Sequence, residues 1–139
     1  MLSPDEVNDI QSEEQTARFV FSKRHVRADR TLKGEAFLPH PYEDLSVTRL
    51  IQTTPREVSA IGYAIAAKRN PPRNLQGQGE VLANTYIRQH LQVVVAPVEG
   101  NPNHANVNDW PTEKAQQLLI AKEIARVARF VAPVDNEQA

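Results

Sequence analysis

The sequence predicts one α+β domain, a small mixed sheet covered on one face by two main helices. Three observations predict it. The chain has 139 residues, the size of one domain with one core. Short β-favouring runs at about 17–22, 45–51 and 91–97 are separated by connections rich in proline, asparagine and glycine. Two longer stretches, about 55–69 and 112–130, repeat apolar residues at helical spacing. The organisation read from this is an acidic tail or frayed helix over 1–15, the domain over 16–132, and a tail over 133–139.

Ser3, Pro4 and Glu6 resemble a capping box with proline at the first helical position, but only Val7 and Ile10 follow as an apolar face. ARFVFS at 17–22 places aromatics on alternate positions and reads as the first strand. KRHVRADRTLKGE at 23–35 has neither period and reads as an exposed basic loop. The prolines of FLPHPY at 37–42 fix an irregular connection. DLSVTRLI at 44–51 alternates imperfectly and reads as the second strand. TPRE at 54–57 is the clearest signal, with Thr54 as cap, Pro55 in the first turn and Glu57 at the reciprocal position. Val58, Ile61, Gly62 and Ile65 then share a helical face, and NPP at 70–72 stops it. NLQGQG at 74–79 reads as a flexible turn, 80–83 as a possible strand, and 84–90 as a short helix. LQVVVAPV at 91–98 reads as the strongest strand, its three valines suggesting burial on both faces. EGNPNHANVNDWP at 99–111 reads as irregular. The last helix carries a stripe through Leu118, Ile124 and Ala128 and ends before Pro133.

Composition narrows the function classes. Hydrophobic residues make up 40% and charged residues 24%, which argues against a disordered chain and a membrane protein. With no cysteine, disulfide scaffolds, thiolate zinc sites and cysteine nucleophiles are excluded. The acidic start has no signal-peptide apolar core, so a cytoplasmic protein is expected. GxxxxGK, GxGxxG, GxSxG and HExxH are absent.

The formal charge of -1 hides two opposed blocks. Asp5, Glu6, Asp9, Glu13 and Glu14 face no basic residue within 1–15, while Arg18, Lys23, Arg24, Arg27, Arg30 and Lys33 outnumber Asp29 alone within 16–33. The blocks could neutralise each other. The basic stretch Lys23, Arg24, Arg27, Arg30 and Lys33 is otherwise a surface for an acidic partner or for phosphates, without aromatics for base stacking.

Histidine is the side chain that titrates near neutrality, and four occur, His25, His40, His90 and His104. His104 stands among Asn101, Asn103, Asn106 and the only tryptophan, Trp110, where amides orient an imidazole for binding or chemistry. The competing reading makes the asparagines turn-formers and Trp110 a staple of the loop to the core. His25 and His40 flank the basic loop and are the counterparts of His104 in a histidine-dependent site; three imidazoles also suit zinc, but no spacing demands it, and neither metal nor cofactor is called for. Arg49 shares a strand face with Val47, so it is either a ligand contact paired with His104 or a buried charge. A buried Arg49 calls for Glu35, Glu43, Asp44, Asp109 or a bound anion beside it.

FLPHPYEDLSVTRL, VLANTYIRQHLQVVVAP and NPNHANVNDWP together resemble a group of small uncharacterised bacterial proteins over roughly 17–131. The resemblance implies a bacterial cytoplasmic protein in which Pro39, Leu45, Ser46, Arg49, Asn101, Pro102, His104, Trp110 and Pro111 belong to a shared pattern, and it implies no activity. The function expected is a binding or accessory subunit working with a larger protein partner. The alternatives are a hydrolase or phosphoryl- or nucleotidyl-transfer enzyme using His104 with Arg49, and RNA or DNA binding through 23–33. The sequence leaves the oligomeric state open.

Overall fold

The computed structural model describes residues 1–39 and 41–135. Six strands form one sheet: β1 (Gln15–Val20), β2 (Leu45–Arg49), β3 (Gly77–Leu82), β4 (Gln92–Val95), β5 (His104–Asn108) and β6 (Arg129–Val131). Three α-helices accompany it, α1 (Pro55–Lys68), α2 (Ala83–Arg88) and α3 (Lys114–Val127). The strand order is β4-β5-β2-β1-β3-β6, and every neighbouring pair is antiparallel. The α+β class therefore holds, with an antiparallel sheet where a mixed one was expected. Among the described residues no helix is long and apolar enough to cross a membrane.

The two main helices lie on opposite faces, not on one. Ala17 and Phe19 of β1 point to one side and pack with Val58 and Ile61 of α1 and with Leu75. Val20 points to the other, where Val47, Val81, Ala105 and Val107 meet Ala121, Ile124 and Ala125 of α3. Alternation along each strand forces this division, because both faces of the central strands are apolar and each needs a cover. Helix α1 begins as its sequence dictates: Thr54 Oγ1 accepts from the Glu57 amide at 3.2 Å and Glu57 Oε1 accepts from the Thr54 amide at 2.9 Å.

Four local expectations change. Residues 77–79, read as part of a flexible turn, belong to β3. A Cβ on Gly79 would lie 2.6 Å from Leu32 and 2.8 Å from Phe37, so these glycines sit where side chains crowd the strand. The valines of β4 form an edge strand, half-exposed with Val94 42% accessible, because nothing pairs beyond it. The asparagine-rich stretch contains β5, whose Ala105 and Val107 are buried while His104 and Asn106 alternate to the other face. The segment 1–15 is neither a free tail nor a partner of the basic loop: Leu2 is buried, and Glu14 pairs with Arg49.

Candidate functional site

The sheet is split. Strand β1 pairs with β3 over six residues, yet with β2 only at Thr16↔Arg49 and Ala17↔Thr48. Beyond that point β2 follows β5 as far as Leu45↔Val107, and β1 parts from it. Arg18 fills the opening. Its Nη1 donates to Ser46 O at 3.2 Å and its Nε to Ala36 O at 3.1 Å. A side chain thus satisfies a β2 carbonyl at the place where the strands part.

Two cavities open at this split and share Arg18, Phe19, Phe21 and Arg69. The larger one, about 380 Å³, is lined by Leu38, Tyr42 and Asp44 before β2, by Ser46 of β2, by Ile65 of α1 and by His104 at the start of β5. The smaller one, about 190 Å³, is bounded by Ser22, His25, Ala36 and Arg73 besides the shared residues, and its Arg69 and Arg73 are exposed. Arg69 is held over the Phe21 ring, 4.5 Å from its centre.

The electrostatics are one-sided. Among the described residues Arg18 has no carboxylate within ion-pair distance. Burial, with the nearby Arg69 cation, lowers it to about 10 against a partial offset from Tyr86, so it stays charged at neutral pH as a destabilised cation. The Tyr86 phenol is pushed up by its own burial. Burial also lowers His25; Glu35 pulls it back up, while Arg18 and Lys33 push it down. At the far wall His104 Nδ1 lies 2.7 Å from Ala96 O. A carbonyl only accepts, so Nδ1 carries the proton and the neutral ring keeps its lone pair on Nε2.

Of the residues singled out from sequence, His104 lines one of the two adjoining cavities and His25 the other, and His40 lies outside the described residues. Arg49 is not with them. Thr48 and His104 are register partners on one face of the sheet, and Arg49 points to the other. There its guanidinium is consumed: Nε and Nη2 donate to the Glu14 carboxylate at 2.9 and 2.8 Å, and Nη1 and Nη2 donate to the backbone and side-chain oxygens of Asn8 at 2.7 and 3.1 Å. The counter-charge is Glu14, none of the four acids expected, because the first strand extends back to Gln15 and carries the preceding residue over the sheet.

The amides are internal as well. Asn101 Nδ2 donates to Thr48 Oγ1, and Asn103 Nδ2 donates to Arg49 O and Ile51 O while its Oδ1 accepts from Leu2 N. Trp110 packs against the α3 core and donates to Val107 O. Asn106 stays half-buried on the open face beside Ser46. The loop 23–33 folds on itself through a Val26↔Leu32 bridge; Arg27 donates to Leu32 O, and Arg30 sits 5.2 Å from the Phe130 ring centre. Lys23 and Arg24 remain exposed.

Arg18 went unnoticed in the sequence except as one of six basic charges. Strand alternation marks Arg18 as it marks Arg49, since in ARFVFS the arginine shares a strand face with Val20. No family model, curated protein or solved structure matches this chain.

Proposed function

We propose that this protein is a small binding subunit that seats an anionic ligand in the split between β1 and β2 and works with a larger partner. One observation carries the reading: the Arg18 cation, half-buried in the split, donates to two carbonyl oxygens, has no carboxylate partner among the described residues and has the Arg69 cation nearby. A partly desolvated charge without a counter-charge is destabilised, and an anion arriving beside it recovers part of that cost. The paired volume suits a small molecule. The partner reading rests on another groove, bordered by Lys33, Lys122 and Arg126, with Glu35 the only acid among its walls in the described residues.

The test is a thermal-shift series with small anions on the wild type and on Arg18→Gln. Stabilisation that grows with anion concentration and disappears in the variant supports the reading; equal response of both proteins refutes it. For the partner surface, cross-linking in bacterial lysate should yield a stoichiometric protein with wild type and none with the Arg24→Glu, Lys122→Glu, Arg126→Glu triple variant, which leaves the pinned Arg27 and Arg30 in place.

A second reading has its own observation: His104 presents Nε2 as a base at the wall of the same cavity, its tautomer set by Ala96 O. Turnover of a bound ester or phosphoester that His104→Gln abolishes, with ligand affinity retained, would make the subunit an enzyme. Direct RNA or DNA binding through 23–33 predicts affinity that falls steeply with salt.

A further inference from the structure

We infer that the ligand is a phosphomonoester of a ring-bearing, hydroxylated body, its phosphate in the smaller cavity and its body in the larger one. This deepens the anion-binding reading above and rests on it.

The smaller cavity selects the head group. Arg18, Arg69 and Arg73 line it with His25, and among the described residues no carboxylate does. Three guanidinium groups exceed what a carboxylate, with one charge and two oxygens, can match. A phosphate brings a charge of roughly -1.5 to -2 and three acceptor oxygens, and guanidinium forks bind such oxygens in pairs. Ser22 adds a donor, because its Oγ accepts from the Arg24 amide and keeps its own proton for another acceptor. The volume, about 190 Å³, holds roughly six waters at about 30 Å³ each, so a phosphate enters with part of its hydration.

The larger cavity selects the body. Leu38, Val47, Ile65 and Val98 give it apolar surface, and Pro39, Pro41 and Tyr42 also line it. Ser46, Thr48, His104 and Asp44 interrupt that surface with acceptors and hydroxyls, and Asp44 is the only carboxylate lining either cavity among the described residues. Asp44 disfavours a second anionic group there and favours hydroxyl or amino donors on the body. Flat rings suit the apolar walls, and about 380 Å³ is at the small end of ligand sites. Phe19 and Phe21 line both cavities, so the link between head and body runs past their rings. A nucleoside monophosphate has this chemistry.

The test is calorimetric titration of the full chain with AMP, UMP, phenyl phosphate, adenosine, inorganic phosphate and benzoate. The expected result is that at least one of the three phosphomonoesters binds ten-fold or more tightly than inorganic phosphate, adenosine and benzoate. Arg73→Gln, at an exposed position, should keep the wild-type circular dichroism spectrum and weaken that ester and inorganic phosphate about ten-fold. Ile65→Ser should weaken the ester and leave inorganic phosphate unchanged. Benzoate binding as tightly as every phosphomonoester, or esters no better than inorganic phosphate, overturns this inference and leaves the anion reading standing. No anion bound at millimolar concentration, or binding indifferent to both Arg18→Gln and Arg73→Gln, overturns both.

Discussion

Glu14→Gln is the substitution whose cost the structure fixes most closely. The Arg49 side chain is 1% exposed and that of Glu14 9%, and the carboxylate accepts two bonds from the guanidinium. The amide of glutamine keeps one acceptor oxygen and turns an N–H group toward a buried cation. Arg49 keeps the two Asn8 oxygens and that one amide oxygen but has no counter-charge. Removing one partner of a buried ion pair costs about 3–5 kcal/mol, and the retained acceptor places this case near 3. For a domain of this length that lowers Tm by about 10 °C. Thermal unfolding followed by far-ultraviolet circular dichroism, with urea titrations to check that the slope is unchanged, measures it. The Glu14→Leu, Arg49→Met double variant should lose less than the sum of its single substitutions, because no buried charge is stranded. A loss under about 2 °C for Glu14→Gln, or strict additivity in the double variant, would refute the account.

The same pair sets an acid limit. Burial alone would raise Glu14, but the Arg49 hydrogen bonds, the Gln11 amide and the Arg49 charge outweigh it and hold the carboxyl below its ordinary 4.5. A group depressed in the folded state contributes its stability above that ordinary value and loses it as pH falls through the folded one. Wild type and Glu14→Gln should therefore differ in stability at pH 7 and converge as pH drops below 4.5. Gly79→Ala should cost about 1–3 kcal/mol in urea unfolding, since the fully buried Phe37 ring cannot withdraw, and Gly77→Ala more, because its φ is +146° and Val131 O stands 2.5 Å from the added carbon. Thr54→Ala should cost about 1 kcal/mol through the lost cap. Trp110→Phe should cost about 1 kcal/mol by removing the bond to Val107 O and leaving that carbonyl without its indole donor.

What was legible in the sequence is what local rules decide. The capping box at Thr54 and the stripe after it locate α1 within a residue, since both signals are encoded inside one segment. Residues 104–108 escaped because asparagine and proline around them outweighed the alternation of Ala105 and Val107; only pairing with β2 on one side and β4 on the other makes them a strand. The valines of β4 misled for the converse reason, as strong propensity says nothing about how many neighbours a strand will have. His104 was picked out by its type and its loop, and it does line the cleft. For Arg49 the sequence allows a ligand contact beside His104 or a buried charge with a partner; the structure has the second, and the partner comes from a segment whose docking no local pattern announces. The split itself was illegible, being a property of how far two strands stay in register.

Arg18 and Arg49 make the strongest internal comparison the molecule offers. Both stand on adjacent central strands, both lie on the α3 face, and both are held by hydrogen bonds to backbone oxygens. Arg49 also has Glu14 and closes the N-terminal segment onto the sheet, so its charge is accounted for within the fold. Arg18 has two carbonyls and a neighbouring arginine, and it lines both cavities. Glutamine has one amide nitrogen on a shorter side chain and cannot replace both donors, so Arg18→Gln loses stability without anions in either role. The dependence on anion separates the roles. A purely structural arginine predicts the same difference between variant and wild type at every anion concentration, whereas a binding arginine predicts a difference that widens as anion is added, by RT ln(1 + [L]/Kd).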